Sequence, residues 1–190
     1  MLALAFAVVL AGCRAQGRED GSVAGKQPEP ALLRTLYTLD GVPWHASAFL
    51  QDTVRSGSEN GVETLRIERI EYLMLVVSHT DCEWTRRFMT DAVRLVPELG
   101  KASLRIVLAL SEKGGKGASE WREFDSERIK VLQDKEGEMY RFYVRGKTPS
   151  VSIVDRQSNL IFRCEGYISP EILLQSLNRR EFGGVKGGEG

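Results

Sequence analysis

Leu73-Met74-Leu75-Val76-Val77-Ser78-His79-Thr80-Asp81-Cys82-Glu83-Trp84-Thr85-Arg86-Arg87 (residues 73–87) joins an apolar run to a helical pattern through a single cysteine. The run 73–77 is continuously apolar and ends in polar residues, as a buried central strand does. From Glu83 the pattern turns helical: Trp84, Phe88, Ala92, Leu95, Val96 and Leu99 recur at helix spacing before Gly100, which reads as a C-cap. Cys82 therefore stands between a strand and a helix N-terminus. There the helix dipole and free backbone N–H groups favour the thiolate, the species that attacks disulfides and peroxides. No second cysteine follows at Cys-x-x-Cys spacing. Thr85 occupies that position, so one thiol is presented without the usual means of releasing a mixed disulfide.

The neighbours of Cys82 admit more than one role. Thr80-Asp81-Cys82-Glu83 reads as a capping box, with Thr80 at the N-cap and Glu83 at the third position. A protonated His79 would stabilise a thiolate, whereas Asp81 and Glu83 would oppose it. Thr85 is either a hydrogen-bond donor to the Cys82 thiolate or a surface helix residue. Trp84 faces the core or a substrate groove, and its spacing from Phe88 favours the core. His79 and Cys82 also form a possible metal pair, but two ligands do not make a site; no metal or other cofactor is expected.

At 190 residues the chain has room for one ordinary domain with tails, and 42% apolar content is enough for a packed core. Twenty-six basic residues balance 26 acidic ones. Without a basic footprint, nucleic acid is not expected as a partner.

Leu2 to Ala11 is an apolar segment too short to span a bilayer but suited to a signal h-region. It leads into Leu10-Ala11-Gly12-Cys13, which resembles the lipobox of bacterial lipoproteins. That resemblance implies export, lipidation of Cys13 and tethering of the mature chain to a membrane, on its periplasmic or cell-surface face. An ordinary cleaved signal and an apolar segment without a targeting role are the alternatives. The expected organisation is a signal peptide over 1–13, a flexible tether over 14–31, a folded domain over 32–182 and a glycine-rich disordered tail over 183–190. With Cys13 lipidated, only Cys82 and Cys164 remain as thiols.

Within the domain, Leu36 to Leu39 suggests a strand leading into a turn at Asp40-Gly41. Ala46 to Thr53 suggests a short helix, Gly57 to Asn60 a loop, and the alternating Thr64 to Ile70 a half-exposed strand. Leu104 to Leu110 is a further strand and Ser119 to Arg128 a short helix. Val131-Leu132 is a brief strand, followed by a short helix over Gly137 to Tyr143. Val151 to Val154 and Leu160 to Cys164 form a hairpin. A final helix runs from Pro170 to Leu177, with Ser169 as its N-cap. This alternation indicates an α/β domain with a mixed sheet.

Three segments in this order resemble the thioredoxin-like superfamily, specifically its exported redoxin or TlpA-like branch. Asp40-Gly41-Val42-Pro43-Trp44 with Ser47 to Phe49 is similar to that branch's entry hairpin. Ser78 to Arg87 occupies its active-site position. Val131 to Gly137, Tyr143 to Ser150, then Ile153-Val154-Asp155 and Gly166 are similar to the run through the threonine and cis-proline into the terminal hairpin. The resemblance implies a three-layer α/β fold, a mixed central sheet flanked by helices. It makes Cys82 the nucleophilic cysteine and Pro149 the cis-proline, with Thr148 before it, whose loop approaches the sulfur and offers backbone groups to an extended substrate. Three positions depart from the family pattern: Thr85 replaces the resolving cysteine, Val76 the buried acid and Asp81 the tryptophan.

Cys164 near the hairpin's end would either resolve a Cys82 intermediate or be an inert buried thiol. The function expected first is a membrane-tethered, extracytoplasmic monothiol thiol–disulfide oxidoreductase acting through Cys82 on protein thiols or disulfides of exported clients. The second is a redox-inactive binding module with the same fold. A thiol peroxidase comes last: Cys82-x-x-Thr85 has the glutathione peroxidase spacing, but Glu83 stands where that motif has glycine.

Overall fold

The computed structural model describes residues 35–45, 48–49, 53–59, 62–113 and 117–179. Cys13, the segments assigned to signal and tether, and the tail at 183–190 lie outside them. The first strands are β1 (Thr35–Thr38), β2 (Pro43–His45), β3 (Thr53–Glu59), β4 (Val62–Glu68) and β5 (Tyr72–His79). Helices α1 (Glu83–Arg94) and α2 (Val96–Lys101) lead to β6 (Leu104–Ser111), a 3-10 helix (Ala118–Phe124) and β7 (Ile129–Gln133). Then come α3 (Glu138–Tyr143), β8 (Ser150–Asp155), β9 (Leu160–Glu165) and α4 (Pro170–Asn178).

Seven strands form one mixed sheet in the order β2-β1-β7-β6-β5-β8-β9. The β5–β6 and β6–β7 pairs are parallel; β8, β9, β1 and β2 join antiparallel. β5 is central and its six middle residues are buried, because helices cover both faces. One face packs Met74 and Val76 against Phe88, Met89 and Leu99 of the helices and against Trp121 of the 3-10 helix. The other packs Leu73, Leu75 and Val77 against Met139 and Tyr143 of α3. This is the three-layer α/β arrangement expected from the sequence.

The helix after Cys82 is two helices. Pro97 has no N–H to continue the ladder and its ring would collide with the carbonyl four residues earlier, so the chain bends at Leu95 (φ −101°, ψ 11°) and restarts as α2. Gly100 lies inside α2 rather than capping it, and Ala102 follows the helix end. A Cβ on Gly100 would approach the Arg128 guanidinium to 3.2 Å, so a larger residue there would require that side chain to shift.

The buried face of α1 differs from the one expected. Its buried residues are Thr85, Phe88, Met89 and Ala92, whereas Trp84, expected in the core, is 54% exposed. Trp84 and Phe88 share α1 four residues apart, but Thr85 rather than Trp84 takes the buried position one turn before Phe88. Two other expectations are corrected. Gly57 to Glu59 is strand, because β3 pairs with β4 over its whole length, including Gly57 with Thr64; cross-strand hydrogen bonding overrides the local glycine signal. The helix placed at Ala46 to Thr53 is limited among the described residues to a 3-10 turn at Ala48 and Phe49, and Thr53 already begins β3.

The helix phase gives a paired prediction. Phe88→Ala should cost about 3–5 kcal/mol in urea unfolding, because it empties a fully buried ring site. Trp84→Ala should stay within about 1 kcal/mol. Equal losses would mean that Trp84 is a core residue.

Candidate active site

β5 ends at His79 and α1 begins at Glu83, so three residues carry the chain from sheet to helix. Thr80 anchors this turn. Its N–H donates to the Ser111 carbonyl at 3.0 Å. Its hydroxyl accepts from the Lys113 N–H at 3.0 Å and donates to the Lys113 carbonyl at 3.1 Å. The Trp121 indole Nε1 donates to the Thr80 carbonyl at 3.2 Å. Thr80 is thus spent on the end of β6, and the helix N-cap is Cys82 itself (φ −94°, ψ 108°) with no side-chain cap. The expected capping box does not form. Glu83 still sits in the first turn, where a carboxylate complements the helix dipole.

Cys82 is a free thiol, only 6% exposed. Its Sγ lies 3.1 Å from Thr148 Oγ1, and Thr148 precedes Pro149 through a cis peptide bond. The Pro149 carbonyl accepts a 2.8 Å hydrogen bond from the Gly166 N–H, and Gly166 holds φ at +91°, a conformation that favours glycine. The turn after β9 thereby fixes the loop that reaches the sulfur.

Thr85 is not a surface residue. It is fully buried, and its hydroxyl donates to Ser78 Oγ at 2.6 Å. Val76 shares the α1-side face of β5 with Ser78 and packs in the core. Ser78 and Thr85 therefore form a hydroxyl pair at the α1–β5 contact, and no carboxylate takes the place of Val76. Sequence reasoning missed Ser78. The available signal was its position two residues beyond Val76, hence on the same face, immediately before the Cys82 turn.

Burial pushes the Cys82 thiol pKa up. Hydrogen bonds from Thr148, from the Thr85 hydroxyl and backbone N–H, and from Ser78 pull it down, and they outweigh the burial. The thiol pKa consequently lies below its ordinary value. Each hydroxyl has a single proton, so a proton that Thr85 gives to Ser78 leaves the Ser78 proton to face the sulfur; coupled donors of this kind strengthen one another.

His79 works differently from a charged neighbour. Burial lowers its pKa, Lys113 lowers it further and Asp81 only partly opposes them. The ring is neutral at neutral pH, its Nδ1 is buried without a hydrogen-bond partner, and it packs 6.0 Å from the Tyr140 ring. Among the described residues no group of three or more His, Cys, Asp or Glu could hold a metal ion.

Cys164 is buried on β9, paired with Val151, which pairs in turn with Val76. Two strand spacings, about 9–10 Å, separate it from the line of β5, and it forms no disulfide with Cys82. The structure thus brings together Cys82, Thr85, Thr148 and Pro149, adds Ser78, and sets His79 and Cys164 apart from the sulfur.

No family model matches the chain, and no curated protein matches it in sequence. Solved structures do match. The exposed lipoprotein thioredoxin of Streptococcus pneumoniae is 17% identical with a TM-score of 0.52, over 77% of this chain and 98% of that one. A secreted disulfide oxidoreductase of Mycobacterium tuberculosis is 13% identical with a TM-score of 0.55, over 80% and 98%. A thiol:disulfide interchange protein from Bacteroides is 13% identical with a TM-score of 0.52, over 82% and 89%. The chain has the thioredoxin-like fold of these proteins.

Two predictions follow from the hydroxyl arrangement. Thr85→Val keeps the side-chain shape but removes a donor. The Cys82 pKa should rise, measured by thiolate ultraviolet absorbance, and stability should fall by about 1–3 kcal/mol as Ser78 loses its partner. Because the folded thiol pKa is depressed, the wild-type contribution is present above the unfolded thiol pKa and is lost as pH falls through the folded one. His79→Gln should leave the thiolate titration in place; a clear rise would assign the ring a charge it does not carry here.

Proposed function

We propose that this chain is a monothiol thiol–disulfide oxidoreductase acting through Cys82, exported and held at a membrane by lipidated Cys13. The observation that carries the reading is the contact between the free Cys82 sulfur and the Thr148 hydroxyl, next to cis Pro149 and at the N-cap of α1. A helix N-terminus and convergent hydroxyls favour thiolate at this sulfur. The exported relatives of like fold and the lipobox-like Leu10 to Cys13 support a place outside the cytoplasm. Among the described residues no helix is long and apolar enough to cross a membrane, so attachment in this reading is through acyl chains.

In the reaction, the Cys82 thiolate attacks one sulfur of a client disulfide. A Cys82–client disulfide forms, the client S–S bond breaks, and the second client sulfur leaves as thiolate. Thr148 and the Thr85–Ser78 pair hold the attacking sulfur in its charged form beforehand. Thr85 has no thiol with which to displace the client, so a second, external thiolate attacks the mixed disulfide and returns Cys82 as thiolate. Cys164, buried two strands from β5, is given no resolving role in this scheme.

A second reading is favoured by the low exposure of Cys82 and by Thr85: a client-binding module without redox turnover. One experiment separates the two. After glutathione disulfide treatment, mass spectrometry of the full chain should find Cys82 glutathionylated, and Cys82→Ser should abolish mixed disulfides with clients. An unmodified Cys82, with client binding that survives Cys82→Ser, would leave the binding module.

A further inference from the structure

Trp84, two residues past the thiol, is more than half exposed, which is unusual for so large an apolar ring. It stands 5.8 Å from the Tyr167 ring. The Arg87 guanidinium lies over both rings, 5.1 Å from the Tyr167 centroid and 5.9 Å from that of Trp84. The Tyr167 hydroxyl donates to Asp91 Oδ2 at 2.9 Å, and Asp91 also pairs with Arg94 at 3.7 Å. The carboxylate one turn beyond Arg87 is therefore occupied, and the tyrosine ring is held in position. Among the described residues no carboxylate forms an ion pair with Arg87, although Glu83 lies one turn before it on α1.

This cluster adjoins the thiol along two routes. Trp84 and Arg87 belong to the first turns of α1, whose N-cap is Cys82. Tyr167 follows Gly166, whose N–H holds the Pro149 carbonyl, and Thr148 touches the sulfur. Trp84 and Arg87 on one side and Tyr167 on the other thus flank the segments that hold the sulfur, within reach of a chain whose cysteine is bonded to Cys82. Two aromatic faces offer it apolar contact, and an exposed guanidinium that pairs with no carboxylate among the described residues offers it charge.

We propose that Trp84, Arg87 and Tyr167 form a client-selecting surface beside Cys82 that receives an extended polypeptide carrying a carboxylate side chain near its reactive cysteine. The proposal rests on the oxidoreductase reading and deepens it by naming the client's chemistry. The aromatic pair orients the guanidinium, and the guanidinium selects the sign of the client's charge.

The test uses the full chain and synthetic peptides whose single cysteine is held as a mixed disulfide with thiopyridine. Cys82 thiolate attacks the peptide sulfur, the peptide–thiopyridine bond breaks, and thiopyridone leaves with the electron pair and is read by absorbance. Paired peptides carry Glu or Lys two residues from the cysteine, and each rate is divided by that with uncharged dithiodipyridine. The Glu peptide should react faster. Arg87→Glu should invert the preference, changing the Glu-to-Lys ratio about fivefold or more. Trp84→Ala should lower both peptide ratios and shrink the difference between them. Equal Glu and Lys ratios in the wild type and in Arg87→Glu, with dithiodipyridine still reacting at Cys82, would overturn the surface alone. A Cys82 that fails to react with dithiodipyridine would overturn the oxidoreductase reading and the surface together.

Discussion

A sulfur and a hydroxyl 66 residues apart in the chain meet at 3.1 Å, and much of the architecture is arranged around that meeting. β5 carries the chain to Cys82 just beyond its C-terminal end, and β8, its antiparallel neighbour, begins directly after Thr148 and Pro149. The two segments meet because the strands that bear them are adjacent. Every support of either strand is therefore also a support of the site. The Thr80 anchor on β6, the Trp121 indole and the Gly166 turn all restrain one side of the same contact.

The chemistry of the site depends on a balance between burial and hydrogen bonding. A thiol this enclosed would by burial alone resist ionisation. The Thr148 hydroxyl, the coupled Thr85–Ser78 hydroxyl pair and the Thr85 backbone N–H reverse that tendency, without help from a buried carboxylate or a charged histidine. Neutral donors hold an anion by direction rather than by charge, so the effect is local and little screened by salt. The same arrangement excludes an internal route of release. Thr85 closes the hydroxyl network from the position where a second thiol would open one.

Much of the fold was legible because hydrophobic periodicity records which surfaces are buried. The unbroken 73–77 run announced a strand covered on both faces, and the alternation of strands and helices announced the mixed sheet. The readings that failed depended on partners distant in sequence. Trp84 was assigned to the core from its spacing with Phe88, yet the buried face of α1 runs through Thr85, three residues before Phe88, and leaves Trp84 outside. Thr80 has the sequence of a helix cap, but the end of β6 competes for its hydroxyl and wins. Gly57 looks like a loop residue until β4 supplies a partner strand.

By itself, the sequence determined that a strand would deliver one cysteine to a helix N-terminus, with no second cysteine at the usual spacing. It also placed Thr148-Pro149 ahead of a terminal hairpin, because turn chemistry and periodicity are local properties. Only the tertiary structure decided what surrounds the sulfur. It turned Thr85 inward onto Ser78, brought Thr148 within hydrogen-bond reach and left Trp84 outside with Arg87 and Tyr167. The approach of Thr148 depends on the pairing of β5 with β8, and the placing of Thr85 and Trp84 on the rotation of α1 about its own axis. That rotation is set by packing against β5, whose residues lie beyond the reach of any pattern within α1.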